Sequence, residues 1–141
     1  MDNEVVFRHD ARLRAESIAI RTEVFIKEQG FRDEFDALDE RSRHLVAFVD
    51  RVPVGTTRYY RIDQNTYAIG RLAIVKSHRG QGLAKALIRQ TERAIEKEGG
   101  SQIQLHAQKR LQAMYEKFGF SSLGVEDEDE GVPHIWMAKS I

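Results

Sequence analysis

The segment Leu72-Ala73-Ile74-Val75-Lys76-Ser77-His78-Arg79-Gly80-Gln81-Gly82-Leu83-Ala84 has the residue types of an anion site. A nearly all-apolar stretch, as expected of a strand buried on both faces, meets a short turn and then the glycine-bearing start of a long helix. The first turn of a helix leaves backbone N–H groups unpaired and carries the positive end of the dipole. Phosphate is the usual guest there. Gly80 and Gly82 lack Cβ, so a ligand oxygen can come close to the main chain, and Arg79 adds a fixed positive charge at the rim. Three phosphate patterns compete for this stretch. A nucleoside-triphosphate loop needs Gly-Lys-Ser/Thr at the helix start, but Leu83-Ala84 follows Gly82. A dinucleotide fingerprint needs a small residue where Lys85 stands and an acid near the end of the next strand, which reads Gln102-Ile103-Gln104. The pattern that fits is Arg-x-x-Gly-x-Ala, at Arg79, Gly82 and Ala84.

Other residues could move protons or hold charge. Histidine is the side-chain type suited to proton transfer near neutral pH, and His134 stands beside Pro133 at a strand end, which makes it a candidate base; a structural histidine bonded to a neighbouring carbonyl is the plainer alternative. Tyr115 shares a helical face with Leu111 and Phe118, where a buried core tyrosine is the alternative. Arg21 sits among apolar residues of the first helix, Arg71 directly precedes Leu72, and Arg58 and Arg61 lie in the preceding strand. Arginines turned into a sheet face are costly unless paired, so they often mark an anionic ligand or internal salt bridges. His106 reads as a core or rim residue. His9, His44 and His78 show no paired spacing, and the chain has 0 Cys, so no transition-metal site, disulfide or thiol nucleophile is expected.

The elements that must position these groups alternate along the chain. Strands are predicted at Val5-Val6-Phe7, His44 to Val49, Val54 to Ile62 and Tyr67 to Val75. A first helix is predicted from Asp10 to Gln29, stopped by Gly30 and followed by a charged loop or short helix from Phe31 to Ser42. A long amphipathic helix runs from Gly82 to Glu98, then a strand at Ile103 to Ala107 and a helix from Lys109 to Phe118. Two last strands, near Ser122–Glu126 and His134–Ala138, flank the acidic run Glu126-Asp127-Glu128-Asp129-Glu130, which reads as a solvated turn. The order implies an α/β fold, a mixed sheet with helices on its faces.

With 141 residues, two prolines and no repeat or linker, a single domain over residues 1–141 is expected. Lys+Arg and Asp+Glu are both 22, and a neutral chain is poorly suited to general nucleic-acid binding. No apolar run approaches a membrane span, and Met1-Asp2-Asn3-Glu4 does not read as a secretory signal. With no cysteine, a cytoplasmic location is the expectation.

The Arg79–Gly82–Ala84 pattern resembles the coenzyme A pyrophosphate motif of the GNAT N-acetyltransferase superfamily. Met114-Tyr115-Glu116-Lys117-Phe118-Gly119-Phe120 is similar to the Tyr-x-x-x-Gly-Phe close of that superfamily's last conserved helix. Val24-Phe25-Ile26-Lys27-Glu28-Gln29, with Gly131-Val132-Pro133-His134-Ile135-Trp136-Met137, resembles the ElaA/YjcF-like bacterial members. The resemblance implies a six- or seven-stranded mixed sheet with helices on both faces. Its fourth and fifth strands splay around a cofactor, acetyl-CoA, whose acetyl group passes to an amine. It implies that Leu72, Ala73, Ile74 and Val75 line the pantetheine arm and that the N–H groups of Arg79, Gly80, Gln81, Gly82, Leu83 and Ala84 hold the pyrophosphate. It implies that Tyr115 serves the departing thiolate. Gln108 stands where many members carry Asn. It allows a homodimer, which no residue here requires.

Amine acylation needs a neutral amine, a polarised carbonyl and a proton for the thiolate. His134 and Glu28, at the end of the first helix, are the candidate bases; a route through water is the third option. The expected acceptor is a small-molecule amine bearing a carboxylate or phosphate, with Arg21 and Arg71 binding it as substrate. A module that binds acyl-CoA without turnover is the rival expectation.

Overall fold

A computed structural model describes residues 4–141; the expectation about Met1-Asp2-Asn3 falls outside them. Seven strands form one sheet in the order β1-β2-β3-β4-β5-β7-β6. They are β1 Val5–Asp10, β2 Arg43–Val49, β3 Val52–Arg61, β4 Thr66–Ile74, β5 Gln102–Gln108, β6 Ser121–Asp129 and β7 Val132–Ser140. β4 and β5 pair in parallel and every other neighbouring pair is antiparallel. This is the mixed sheet expected, and the parallel pair needs a crossover, supplied by α3 Leu83–Lys97.

Helices cover both faces. α3 and α4 (Gln112–Lys117) bury Leu87, Ile88, Ile95, Tyr115 and Phe118 against one face, with Leu45, Ile69, Ile103 and Met137 beneath them. A Cβ at Gly55 would meet Ile74 Cδ1 and Leu87 Cδ1 at 2.8 Å, so the close approach of α3 to the sheet depends on that glycine. On the other face, Ile20, Val24, Phe25 and Phe31 pack against Val46 and Ala73.

The first helix departs from expectation. β1 continues to Asp10, and α1 begins at Ala15 and ends at Arg21. Arg8, bonded to both Asp10 and Glu16 at 2.9 Å, ties the strand to the helix, a long-range pairing that hydrophobic periodicity does not register. From Thr22 to Glu28 the helix is π-wound, with Gln29 N–H bonded to Val24 O. The widened turn brings Val24, Phe25 and Gln29 to the cavities described below. The stretch after it contains a short helix, α2 Leu38–Arg41. The acidic run is mostly strand rather than turn: Glu126, Asp127, Glu128 and Asp129 pair with β7, and only Glu130-Gly131 turn the chain.

Candidate active site

β4 and β5 are paired only from Thr66↔Gln102 to Ile69↔Leu105; beyond that, Gly70–Ile74 and His106–Gln108 have no strand pairing with each other. On its far side β5 stays paired to β7 as far as Gln108↔His134. On the β3 side, a bulge between Thr56 and Arg58 shifts the register, and Arg71 there has φ of 52°. That backbone costs a non-glycine residue about 1–2 kcal/mol. It is held by Arg71 Nε on Glu34 Oε2 at 3.1 Å and by Arg71 Nη2 on Asp36 at 3.2 Å. Past the bulge, Val75 N–H bonds to Val54 O across β3. Strand alternation therefore turns the polar groups of Ile74 and Leu72 away from β3, toward the opened seam. Arg79 Nε, donating to Ile74 O at 2.9 Å, occupies one of them.

A cleft of about 490 Å³ opens here, lined by Leu72, Ala73 and Ile74 on one side and by Leu111, Met114 and Phe118 on the other. Arg79, Gly80, Gly82, Leu83 and Ala84 form its mouth, and Arg110 joins them. Gly80 and Gly82 have φ of 76° and 81°, a region in which glycine carries no Cβ penalty. No acceptor from the described residues takes the N–H groups of Gly80, Gln81, Gly82, Leu83 or Ala84. Five consecutive amides thus stand without a partner at the start of α3, the positive end of its dipole. Arg79 N–H is different: it reaches Lys76 O at 3.4 Å, a weak partner.

A smaller cavity of about 90 Å³ adjoins the cleft, the two sharing Gln29, Leu72 and Leu111 as lining. Tyr115 and His134 both line it, 7% and 6% exposed. The Tyr115 hydroxyl makes no hydrogen bond to a described residue, and burial pushes it well above the ordinary tyrosine range. His134 Nδ1 lies 2.8 Å from Val132 O. A carbonyl can only accept, so Nδ1 carries the hydrogen and Nε2 keeps its lone pair. The bond of a structural histidine is thus present, and it is what leaves Nε2 basic. Gln108 lines the same cavity and donates to Gln29 Oε1 at 2.7 Å.

His106 is nearer the chemistry than a core or rim position suggests. Its ring lies 4.5 Å from that of His134 and 4.4 Å from that of Trp136, and its Nε2 meets Asp127 Oδ1 at 2.5 Å. The register His106↔Trp136 and Gln108↔His134 builds this stack. That bond from His106 holds the Asp127 carboxyl below its ordinary range.

Two expectations are corrected. Arg21 does not line either cavity. It is 1% exposed, and its guanidinium is taken up by Glu34 at 2.8 Å, Asp39 at 2.7 Å and Glu34 O at 3.0 Å, under the ring of Phe35. Its apolar neighbours in sequence surround a buried ion-pair cluster, not a ligand. Glu28 sits beside the cleft mouth, clasping Arg79 at 2.6 and 2.7 Å. The Arg79 bond lowers its carboxyl from the ordinary range, which makes it a weaker base. Arg71 does line the small cavity, but as a partner of Glu34 and Asp36. Among the described residues no group of three or more His, Asp or Glu side chains is arranged to hold a metal, and no helix is long and apolar enough to cross a membrane.

Residues 10–141 match the family model of the acetyltransferase (GNAT) domain. The N-acetyltransferase YjcF of Bacillus subtilis, itself uncharacterised, is 31% identical over 138 residues, spanning 96% of this chain and 97% of its own length. The crystal structure of Escherichia coli ElaA superposes with a TM-score of 0.84 at 26% identity, covering 98% of this chain and 99% of that one. An acyl-CoA N-acyltransferase from Pseudomonas aeruginosa gives 0.83 at 28% identity, with coverage of 98% and 99%. These matches bear out the ElaA/YjcF-like resemblance: this chain belongs to the GNAT acetyltransferase family.

Proposed function

We propose that this protein is an N-acetyltransferase that moves the acetyl group of acetyl-CoA to the amine of a small acceptor. One observation carries the reading: a cleft with a mouth of free amides runs into a cavity where an unpartnered tyrosine hydroxyl and a basic imidazole nitrogen are found together. The residues fit the donor. The amides of Gly80 through Ala84 match a diphosphate, the apolar walls Leu72, Ala73, Ile74, Leu111 and Met114 match a pantetheine arm, and the Pseudomonas relative's name specifies an acyl-CoA. Bound acetyl-CoA supplies the acetyl group as an activated thioester.

The chain's own groups supply the rest. An N–H of the β4 segment, Leu72 or Ile74, polarises a carbonyl placed in the seam; removing one such donor typically costs ~3 kcal/mol. His134 Nε2 takes the proton of the acceptor ammonium, whose ordinary pKa near ~10 leaves it mostly charged at neutral pH. Tyr115 holds its proton firmly because it is buried, so it steadies the departing sulfur by a hydrogen bond before any transfer. A thiol of pKa ~8.5 needs only modest help to leave.

Two outcomes follow from these roles. Tyr115→Phe lowers kcat by about 10- to 100-fold and leaves the acetyl-CoA Kd unchanged. His134→Gln lowers kcat/KM by about 100-fold at neutral pH, and part of the loss returns as the pH approaches the amine pKa, because solvent then removes the proton. Steady-state thiol release against pH reads both. The reading itself is tested by thermal shift with acetyl-CoA, which should stabilise by ~2.7 kcal/mol at a hundredfold excess over Kd. Thiol release over a panel of amines follows. No stabilisation, or binding without turnover on any amine, overturns it.

A further inference from the structure

The carboxylates around the small cavity identify the acceptor further, given the acetyltransfer reading above. Asp33, Glu34 and Asp129 line it, against a single cationic side chain, Arg71. Glu34 is neutralised by Arg21 and Arg71, and Arg71 is itself taken up by Glu34 and Asp36. What remains uncompensated is Asp33 and Asp129, whose carboxylates have no ion-pair or hydrogen-bond partner among the described residues. They are 96 positions apart in sequence, and their placement around one cavity is built. Glu130 accepts Arg32 N–H at 2.8 Å and Asp33 N–H at 3.0 Å, pinning the loop after the π-turn to the β6–β7 turn. These amides keep the Glu130 carboxyl ionised, with Arg32 beside it and outside the lining. Lining the same cavity, Tyr115 and His134 are more than nine-tenths buried, and their Oη and Nε2 have no partner among the described residues.

We propose that the acceptor is a short amine with a second positive charge, as in an alkane diamine, and that Asp33 and Asp129 hold that second charge. The reacting nitrogen must give up its charge at His134, so carboxylates serve a monoamine little in the reacting state. A second ammonium keeps its charge throughout. The cavity volume of about 90 Å³ suits a small acceptor. This replaces the acidic acceptor expected from Arg21 and Arg71, since neither guanidinium is without a carboxylate partner.

Three amines built on a four-carbon chain test it: 1,4-diaminobutane, 1-aminobutane and 4-aminobutanoate, each with acetyl-CoA and the full chain. The expected order of kcat/KM is diamine, then monoamine by about tenfold, then the acid. Asp33→Asn and Asp129→Asn each lower the diamine preference over the monoamine about threefold, mainly through the diamine KM, and leave the acetyl-CoA Kd unchanged. Added salt compresses the preference in the same way. Equal rates for diamine and monoamine, a preference for 4-aminobutanoate, or a preference that both Asn variants retain overturns the inference and leaves acetyl transfer standing. No thiol release with any of the three overturns the inference, and the same silence across a broad amine panel takes the acetyltransfer reading with it.

Discussion

Gly82→Val yields a folded protein that binds acetyl-CoA about a hundred- to ten-thousandfold more weakly. At φ of 81°, Gly82 turns the chain into α3, with the unpartnered amides of the loop and the first helical turn on either side of it at the cleft mouth. A Cβ there would meet nothing within 4 Å, so crowding is not the obstacle. The obstacle is the backbone itself, which costs an L-residue about 1–2 kcal/mol and a β-branched one more. The loop relaxes, and the amides of Leu83 and Ala84 lose their aim. Each hydrogen bond to a charged oxygen contributes about 1.5–3 kcal/mol, so losing two gives the expected fall in affinity. Calorimetry with acetyl-CoA measures it, and thermal unfolding shows only the smaller local cost. Unchanged affinity would remove the loop from the cofactor site.

Asp39→Asn destabilises the fold by about 3–5 kcal/mol. Arg21, Arg58, Glu34 and Asp39 are all at most 6% exposed, and with Arg71 and Asp36 they balance three charges against three. Asp39 takes two bonds from Arg21 and one from Arg58, and it also accepts Asp36 N–H. Removing its charge leaves one guanidinium buried without a counter-ion. Burial alone pushes the Asp39 carboxyl up, but the bonds from Arg21 and Arg58 outweigh it and bring it to about 2. A depressed folded pKa contributes stability above the unfolded value of roughly 4 and loses it as the pH falls to about 2. Glu34 acts oppositely. Burial raises its carboxyl, so its ionisation costs stability at neutral pH, and acid relieves that cost. Denaturant melts of wild type between pH 5 and about 2 should therefore lose stability, and Asp39→Asn should flatten the curve. A melt unmoved by the substitution would show the cluster to be dispensable. The loss also reaches the cavity, because the anchored loop carries Phe31, Asp33 and Glu34 to it.

What could be read in the residues is what depends on near neighbours. The strand, the loop and the helix at the cleft mouth are contiguous, and Gly80 and Gly82 announce the backbone they need. Tyr115 and His134 were legible as chemistry-bearing types, and the structure lines one cavity with both. What was not legible depends on pairings between distant segments. Arg21 finds its partners 13 and 18 residues onward, so its apolar neighbours in sequence misrepresent its surroundings. Glu28 meets Arg79 across 51 positions. His106 becomes a neighbour of His134 only through strand register, and Asp33 becomes a neighbour of Asp129 only through the Glu130 clamp. Gln29 had a local signal, its place at the end of the Val24–Gln29 segment, but the π-winding that delivers it to Gln108 has no periodicity of its own.

The outermost strand gives the acidic run another consequence. β6 is the last strand of the sheet, and Leu123 and Val125 stand bare along it, 49% and 55% exposed. An open edge with greasy side chains is where sheets from separate molecules fuse into aggregates. Here Glu126 through Asp129 follow on the same edge; Lys109 and His106 take up the first two, and the carboxylates of Glu128 and Asp129 remain to repel a second such border. In a chain with no net charge to keep copies apart, that short stretch acts as a colloidal guard, and it fails first in acid or concentrated salt.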